Sequence, residues 1–253
     1  MDVSELPAKV ETTVGRLRLR ITIGYADAQR VAFTSSWWTA RLRSGLDRST
    51  ADRLVSSLAK RTVAGADGRR DIPRAALYDL ARCGDTAAAQ FAVAAWGTGT
   101  NALDRARQAG FLEDSVASGR HAGMDRAVKA APAGLAAMWD AHFTRPFPQG
   151  FGQASFGTKW LHAAGWEAVP DDGPRPVVFD KFVHRVLDVC AKIPLPYPGP
   201  PSEAVRDGWM EWCQLATDAA VGGLTAADVE RAVFDHRRGC PAHAGSGACP
   251  NST

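Results

Sequence analysis

The chain has 253 residues, 45% of them hydrophobic and 23% charged, and a formal net charge of +3. These fractions are typical of a water-soluble globular protein, and no apolar run is long enough to span a bilayer. The length allows one large domain or two small ones with a substantial core, so size does not exclude an enzyme. The N-terminus lacks the apolar segment of a secretory signal and the five cysteines suggest no disulfide framework, so we expect a cytoplasmic protein.

Basic residues crowd the first third of the chain, although the net charge of the whole chain is modest. An arginine-rich region is compatible with a phosphate backbone as partner, because guanidinium groups match phosphate oxygens and binding releases counterions. A solvated charged surface explains the same residues equally well. The residues concerned are Arg16, Arg18, Arg20, Arg30, Arg41, Arg43, Arg48, Arg53, Lys60, Arg61, Arg69, Arg70 and Arg74.

The clearest strand pattern is RLRLRITI, residues Arg16–Ile23. Leucine and isoleucine alternate there with arginine and threonine, so that a strand would have one apolar and one cationic face. We expect this segment to form a minor N-terminal β element.

Helical patterns dominate the chain after this segment. STADRLVSSLAKR begins with a Ser/Thr cap, and DIPRAALYDLARCGD places Pro73 in a first helical turn and Gly84 at the exit. DTAAAQFAVAAWGTG indicates a largely buried helix closed by Gly97. Several short helices are predicted between Asn101 and Phe143, with breaks at Gly110, Gly119, Gly123 and Pro132.

The second half begins with a segment of loop composition, Arg145–Gln153, before the helical pattern SFGTKWLHAAGW. After a polar turn, a helix with an apolar stripe follows Asp180, and the proline-rich segment Ile193–Pro201 predicts a rigid connector. Two more helices are predicted, the second of them capped by Thr225. They cover Glu203–Thr217 and Ala226–Arg237.

Three further patterns point to no function. GTGTNA, Gly97–Ala102, formally matches a dinucleotide fingerprint, but it follows a helix rather than a strand, so a helix stop and turn is the better interpretation. The eight tryptophans could stack on bases, yet most of them lie in apolar helical patterns typical of a core. The spacing of four tail residues would suit zinc but matches no zinc module, and we expect no metal and no cofactor. These residues are His236, Cys240, His243 and Cys249.

Two charged residues of the second half are candidates for chemistry, Lys159 and Asp180. A lysine near a helix start usually extends to water, and an aspartate that opens a helix is usually its N-cap, so each has an ordinary explanation. The apolar neighbours of Lys159 favour an uncharged, nucleophilic amine, because removal from water disfavours the charged form.

The surroundings of these two residues resemble a known family. FGTKW, Phe156–Trp160, resembles the end of the hairpin in the helix-hairpin-helix DNA glycosylases, and its Gly-Thr-Lys is similar to that of the 8-oxoguanine glycosylases. VVFDKFVHRVL is similar to that family's aspartate segment. The stretch Trp96–Phe234 also resembles bacterial 8-oxoguanine-glycosylase-like proteins, with AWGTGTN, FGTKWLHAAG, PVVFDKFV and ADVERAVF in the same order.

The resemblance implies a fold and a set of site residues. It adds two helical subdomains around a cleft and a helix-hairpin-helix element to the mainly α pattern with a minor N-terminal β element, over residues 1–238. The Gly, Pro, Ser and Ala content of residues 239–253 predicts a flexible tail. Lys159 falls on the catalytic lysine and Asp180 on the catalytic aspartate. The residues implied to bind DNA are Ser155, which stands where the family has its first hairpin glycine, Gly157, Thr158 and Arg185. His162 and His184 are candidate proton carriers, or ordinary polar residues.

The chemistry of base excision suits these residue types. Cleavage of a base–sugar bond develops positive charge at C1′, which a carboxylate such as Asp180 stabilises, while an uncharged amine such as Lys159 can attack the same carbon. The amine would form a Schiff base with the opened sugar and so cleave the strand by β-elimination.

We therefore expect a DNA glycosylase that flips a modified base out of the duplex and excises it, with associated AP lyase activity if Lys159 is the nucleophile. The expected substrate is an oxidised purine or a hypermodified, phage-type base, which would place the protein in DNA repair or anti-phage defence. The expected partner is double-stranded DNA containing that base, with no membrane partner and a monomeric protein. The alternatives are a non-catalytic DNA-binding module on the same scaffold and a helical protein unrelated to DNA.

Overall fold

The computed structural model describes residues 17, 19, 21–65, 69–147 and 150–239. Over these residues the fold is mainly α-helical with one small antiparallel sheet, which confirms the predicted class. The strands are β1 Arg30–Phe33, β2 Val63–Ala64 and β3 Arg70–Pro73. The helices are α1 Ser35–Leu42, α2 Arg48–Ala59, α3 Ala75–Arg82, α4 Thr86–Thr98, α5 Ala102–Ala117, α6 Gly123–Ala130, α7 Leu135–Phe143, α8 Ala154–Gly165, α9 Lys181–Arg185, α10 Glu203–Asp218 and α11 Ala226–Gly239.

The sheet is near the N-terminus, but not where the alternating pattern predicted it. Its order is β1-β3-β2, with Val31 opposite Ile72 in the β1–β3 pair. The described residues of RLRLRITI lie outside these strands. Leu17 is buried in the core, whereas Ile23 is 70% exposed, so the alternating residues do not share one buried face. The predicted strand was wrong because Leu17 is buried in the hydrophobic core and Leu19 packs against that core, outside the strands of the sheet.

Three predicted helix boundaries differ from the observed ones. Pro73 is the last residue of β3, paired with Arg30, rather than the first turn of α3. Helix α4 continues through Gly97 and ends before Gly99, whose φ is 54°. Helix α5 runs through Gly110, because a glycine inside a helix costs only about 1 kcal/mol and nothing there requires another backbone conformation.

Helix α4 lies at the centre of the core. Every residue from Thr86 to Trp96 is buried, and α2, α3, α5 and α8 pack around this helix. Its alanines allow these neighbours to approach closely. The buried apolar residues of the described chain form one continuous cluster from Leu17 to Val233, which includes the tryptophans predicted to be core residues. The division into two subdomains stays a prediction.

Several arginines of the first third are neutralised within the protein. Arg43 pairs with Asp52, Arg53 with Asp85 and Arg41 with Glu113. These contacts favour a surface or structural role over phosphate binding for these side chains. Arg16, Arg18 and Arg20 lie outside the described residues.

Two further expectations concern membranes and metal ions. Within the part of the chain that the structure describes, no helix is long and apolar enough to cross a membrane. The same part holds no group of three His, Cys, Asp or Glu side chains arranged to bind a metal ion. Cys240, His243 and Cys249, and with them the predicted tail from residue 240 onwards, lie outside the described residues.

Candidate active site

Asp180 caps a short helix at the end of an extended segment. Its carboxylate accepts hydrogen bonds from the backbone N–H groups of Phe182, at 2.9 Å, and Val183, at 3.2 Å. Aspartate is a favoured N-cap because it satisfies amides that have no partner within the helix. The cap fixes the orientation of the carboxylate, of which one oxygen, Oδ2, points to Lys159.

The extended segment before Asp180 is held by side chains of two helices. Trp209 and Trp212 of α10 donate indole hydrogen bonds to the carbonyls of Val177, at 2.9 Å, and Val178, at 3.0 Å. Thr158 of α8 accepts a hydrogen bond from the backbone N–H of Phe179 at 3.1 Å. Since these groups are buried, the segment has a single well-defined position relative to α8.

Lys159 extends from α8 to Asp180. Its Nζ donates to Asp180 Oδ2 at 3.1 Å and to the carbonyl oxygen of Ser155 at 3.0 Å, and it lies 5.1 Å from the centre of the Phe156 ring. Lys159 is 6% exposed and Asp180 5%. A buried lysine and a buried aspartate are thus in contact at the wall of one cavity.

Asp180 is held in its ionised form. Burial alone would raise the pKa of this carboxyl, but the charge of Lys159 and the hydrogen bonds from Val183 and Phe182 outweigh it and hold the pKa below its ordinary value. At neutral pH Asp180 is therefore a carboxylate, the form that can stabilise positive charge or accept a proton.

A cavity of about 380 Å³ opens beside this pair. Its walls come from β1, the end of α4 and α11, as well as from α8 and the α9 cap. They carry the indole of Trp96, the ring of Phe234 and the buried carboxyl group of Glu230. A concave site of this size, with aromatic rings for stacking and several charged and polar groups for hydrogen bonding, suits a planar polar small molecule.

A buried ion pair lies behind the wall of the cavity. Arg74, fully buried, contacts Glu230 at 2.7 Å and donates to Gln29 Oε1 at 2.6 Å; its guanidinium carbon lies 5.3 Å from the centre of the Trp96 ring. Burial raises the pKa of Glu230 despite the attraction of Arg74. Gln29, Trp96 and Glu230 also line the cavity, so Arg74 holds three groups of its wall in place.

The two candidate proton carriers have different surroundings. His162 is buried, contacts the Tyr78 hydroxyl, Arg74 and the Pro176 carbonyl, and has its pKa lowered to about 3, because burial and the charge of Arg74 disfavour the imidazolium. His162 is therefore neutral at pH 7. His184 is half-buried and its Nε2 contacts the carbonyl of Leu195 at 2.8 Å. A role in proton transfer stays a prediction for both.

The predicted DNA-binding residues lie in two places. Helix α8 begins at Ala154 after the connector from α7, so Ser155, Gly157 and Thr158 occupy its first turns. Gly157 and Thr158 are buried, and a Cβ on Gly157 would lie 2.4 Å from the Phe143 ring. Arg185 is exposed at the end of α9. DNA binding by these four residues stays a prediction; the structure joins only Ser155, through its carbonyl, to the Lys159–Asp180 pair.

The sequence reasoning missed the residues that shape the cavity. Gln29 and Trp96 come from distant parts of the chain, and Arg74 was counted among surface cations. Glu230 could have been identified from the sequence, because it lies on the same face of α11 as the buried residues Ala226 and Val233. A carboxylate on a buried stripe requires a partner, and Arg74 supplies it.

Comparison with known proteins assigns the family. The comparison with curated proteins and that with solved structures gave no match. The sequence profile described as "Putative 8-oxoguanine DNA glycosylase OGG-like protein" matches residues 24–234, which include all the residues of the cavity and the Lys159–Asp180 pair. The chain therefore belongs to this OGG-like family.

Proposed function

We propose that the protein is a DNA glycosylase that takes a modified base into the cavity beside Lys159 and Asp180 and cleaves its bond to the sugar. The observation that carries the proposal is the buried 3.1 Å contact of these two side chains at the cavity wall, in a chain of the OGG-like family. A duplex hides the bond to be broken, so the target nucleotide has to be extruded first.

The two side chains divide the first step between them. As the bond between base and C1′ breaks, its electron pair leaves with the base, which takes up a proton. The carboxylate of Asp180 stabilises the positive charge that develops on the sugar. Before the attack, the ammonium group of Lys159 loses a proton to Asp180 Oδ2, the adjacent acceptor, and Asp180 passes this proton to the departing base. Asp180 is thus a carboxylate again as the positive charge develops, and the uncharged amine of Lys159 attacks C1′.

The bond between Lys159 and C1′ leads to strand cleavage. When the C1′–O4′ bond opens, O4′ takes a proton and the nitrogen of Lys159 becomes a protonated Schiff base. Loss of a proton from C2′ then expels the 3′ phosphate by β-elimination, and water releases the lysine. We propose this lyase step together with base release.

The proposed substrate is an oxidised purine or a hypermodified base of the kind found in phage DNA. The family description supports the first, and a role in DNA repair. The second would make the protein an anti-phage enzyme. In both cases we propose a monomer that acts on duplex DNA without a cofactor.

Borohydride trapping tests the proposal. The protein is incubated with duplexes carrying 8-oxoguanine, with DNA from phages that carry hypermodified cytosines, and with unmodified DNA, and base release and covalent adducts are measured. We expect release from one modified substrate and an adduct that Lys159→Gln abolishes, while Asp180→Asn slows release about 100-fold or more. Glutamine can still donate to Asp180, so the variant avoids a buried carboxylate without a partner.

A neighbouring lysine provides the matched control. Lys181 is exposed, follows Asp180 directly and contacts the Phe182 ring, so Lys181→Gln should keep the adduct. Base release without any adduct would refute the lyase step alone. No release from any of these substrates, with wild-type and Asp180→Asn proteins alike, would refute the glycosylase and favour a non-catalytic DNA-binding module.

A further inference from the structure

Leu103 is the most exposed large apolar side chain of the described residues. It is 81% exposed, compared with 70% for Ile23. A single exposed leucine is common on protein surfaces and by itself indicates nothing. The position of Leu103 in the fold gives its exposure a functional meaning.

Leu103 follows the wall of the candidate active site closely along the chain, on a rigid support. The segment from Gly97 to Thr100 lines the cavity, and Leu103 lies in the first turn of α5, which follows this segment. The backbone N–H of Leu103 donates to the Oδ1 of Asn101 at 3.1 Å, as does that of Asp104. This N-cap fixes the backbone from which the leucine projects.

Cationic groups lie on both sides of this turn. Arg30 and Arg231 line the first cavity, Arg231 being paired with Asp235. On the other side Arg107, one turn after Leu103, lines a second cavity of about 760 Å³ together with Arg145. Asp104 lines this second cavity too, so the surface is mixed but contains cations on either side of the leucine.

An apolar side chain between cationic patches matches the chemistry of a disrupted DNA duplex. The phosphates contact the cations, while the apolar side chain enters the base stack and fills the space that an extruded nucleotide leaves. Resting on the proposed function, we propose that Leu103 is the wedge that enters the duplex when the target base moves into the cavity. It is a positioning residue, since it contacts the DNA and not the reacting atoms.

The experiment measures extrusion and chemistry separately. Extrusion is followed by the fluorescence of 2-aminopurine placed next to the target base, and chemistry by single-turnover base release at saturating protein. For a fully paired target we expect Leu103→Ala to lower the fluorescence rise and to slow release about 10- to 100-fold, because a missing wedge leaves an unstacking cost of a few kcal/mol without compensation. Leu103→Met should keep both signals.

Two comparisons separate a wedge from a general defect. Extrusion of a mispaired target costs less, so release by Leu103→Ala should return to within a few-fold of wild type on such a duplex. Ile23→Ala removes a similarly exposed side chain that lies beside Gly223, and neither of these residues lines the cavity, so this variant should behave as wild type on every duplex.

The outcomes distinguish this proposal from the proposed function. If Leu103→Ala equals Ile23→Ala in fluorescence and in rate on the paired target, the wedge is refuted while the glycosylase stands. If the wild-type protein releases no base, the proposed glycosylase function is refuted, and the fluorescence measurement alone then tests whether Leu103 enters the duplex. A rise in 2-aminopurine fluorescence that the wild-type protein causes and Leu103→Ala does not would still support insertion of Leu103 into the duplex. The absence of such a rise with the wild-type protein would overturn the wedge.

Discussion

Gly97 is the residue that lets helix α4 approach the candidate nucleophile. A Cβ at this position would lie 2.8 Å from the Phe156 ring and 3.1 Å from the Cδ of Lys159. Contacts this short require movement of one of the two helices or of the side chains. The glycine is thus explained by close approach, and not by a left-handed backbone, since it lies inside α4.

We predict that Gly97→Ala impairs catalysis more than stability. The added methyl group displaces Phe156 and Lys159, and a misplacement of about 1 Å can cost about 100-fold in rate. Overpacking costs about 1–3 kcal/mol, part of which the better helix propensity of alanine offsets. Single-turnover base release and urea unfolding measure the two effects.

Gly110 supplies the control for this substitution. It also lies inside a helix, α5, but a Cβ there would meet only the Arg41 guanidinium at 3.9 Å. Gly110→Ala should therefore leave base release unchanged and stabilise the fold by up to about 1 kcal/mol. Equal rates for Gly97→Ala and wild type would show that Lys159 does not need this close contact.

The extended segment before α9 is the element that carries the second catalytic candidate. We predict that Thr158→Val, which removes the hydroxyl that accepts from Phe179 N–H, destabilises the fold by about 1–3 kcal/mol. It should also slow base release about 10-fold or more, because the carboxylate of Asp180 loses its fixed distance from Lys159. Thermal unfolding and single-turnover kinetics measure these effects.

Thr217 of α10 is the matched position at the other end of the segment. Its hydroxyl accepts from the backbone N–H of Arg175 at 2.8 Å, a bond of the same kind but at the start of the segment and not directly beside Asp180. Thr217→Val should lower stability without changing the rate. If both variants slowed release equally, the effect would be one of general loosening and not of alignment at Asp180.

At the scale of elements, sequence patterns predicted helices well where the apolar period was regular. The segments that became α2, α4, α8, α10 and α11 have such periods or clear caps. The errors came from local signals that tertiary structure overrides. Pro73 suits a first helical turn, but the pairing of β3 with β1 placed it in the sheet. The leucines that alternate with arginine in RLRLRITI suit a strand, yet the described sheet is complete with β1, β3 and β2, and Leu17 and Leu19 pack into the core instead.

At the scale of the whole molecule, the candidate site was predictable only where its residues share a local context. Lys159 and Asp180 each stand in a recognisable stretch, and a family resemblance joined them. Arg74, between β3 and α3, Trp96 of α4 and Glu230 of α11 belong to three separate parts of the chain that meet only in the folded protein. Packing and charge neutralisation between elements that are distant in sequence explain these residue types, so a local sequence pattern could not predict them.

Two buried histidines make the stability of the fold depend on pH. In the folded protein the pKa of His162 is lowered to about 3 and that of His142 to about 4, in both cases first of all by burial. The unfolded chain binds a proton at each of these residues below about pH 6.5, whereas the folded protein does not. Protons therefore favour unfolding, and the stabilising effect of the neutral histidines is complete above pH 6.5 and declines as the pH falls towards their folded pKa values.

We predict that the free energy of unfolding falls steeply between pH 6 and pH 5. Each histidine contributes a slope of up to about 1.4 kcal/mol per pH unit in this range. Glu230 acts in the opposite sense, because its raised pKa makes the folded protein bind a proton at a higher pH than the unfolded chain does. His236, whose pKa is lowered by burial, adds to the loss of stability at low pH. Urea unfolding at a series of pH values measures the net slope.

Substitution of the histidines isolates their part of this slope. Glutamine keeps a hydrogen-bonding side chain without a titratable group, so His142→Gln and His162→Gln should each reduce the pH slope by about 1.4 kcal/mol per unit, whatever their stability at pH 7.5. The double variant should lose about twice as much, because the two residues contact different groups, Phe151 for His142 and Arg74 for His162. A double variant with the wild-type slope would contradict the assignment. The acid sensitivity would then have to come from other groups, since neutral imidazoles in the core could no longer account for it.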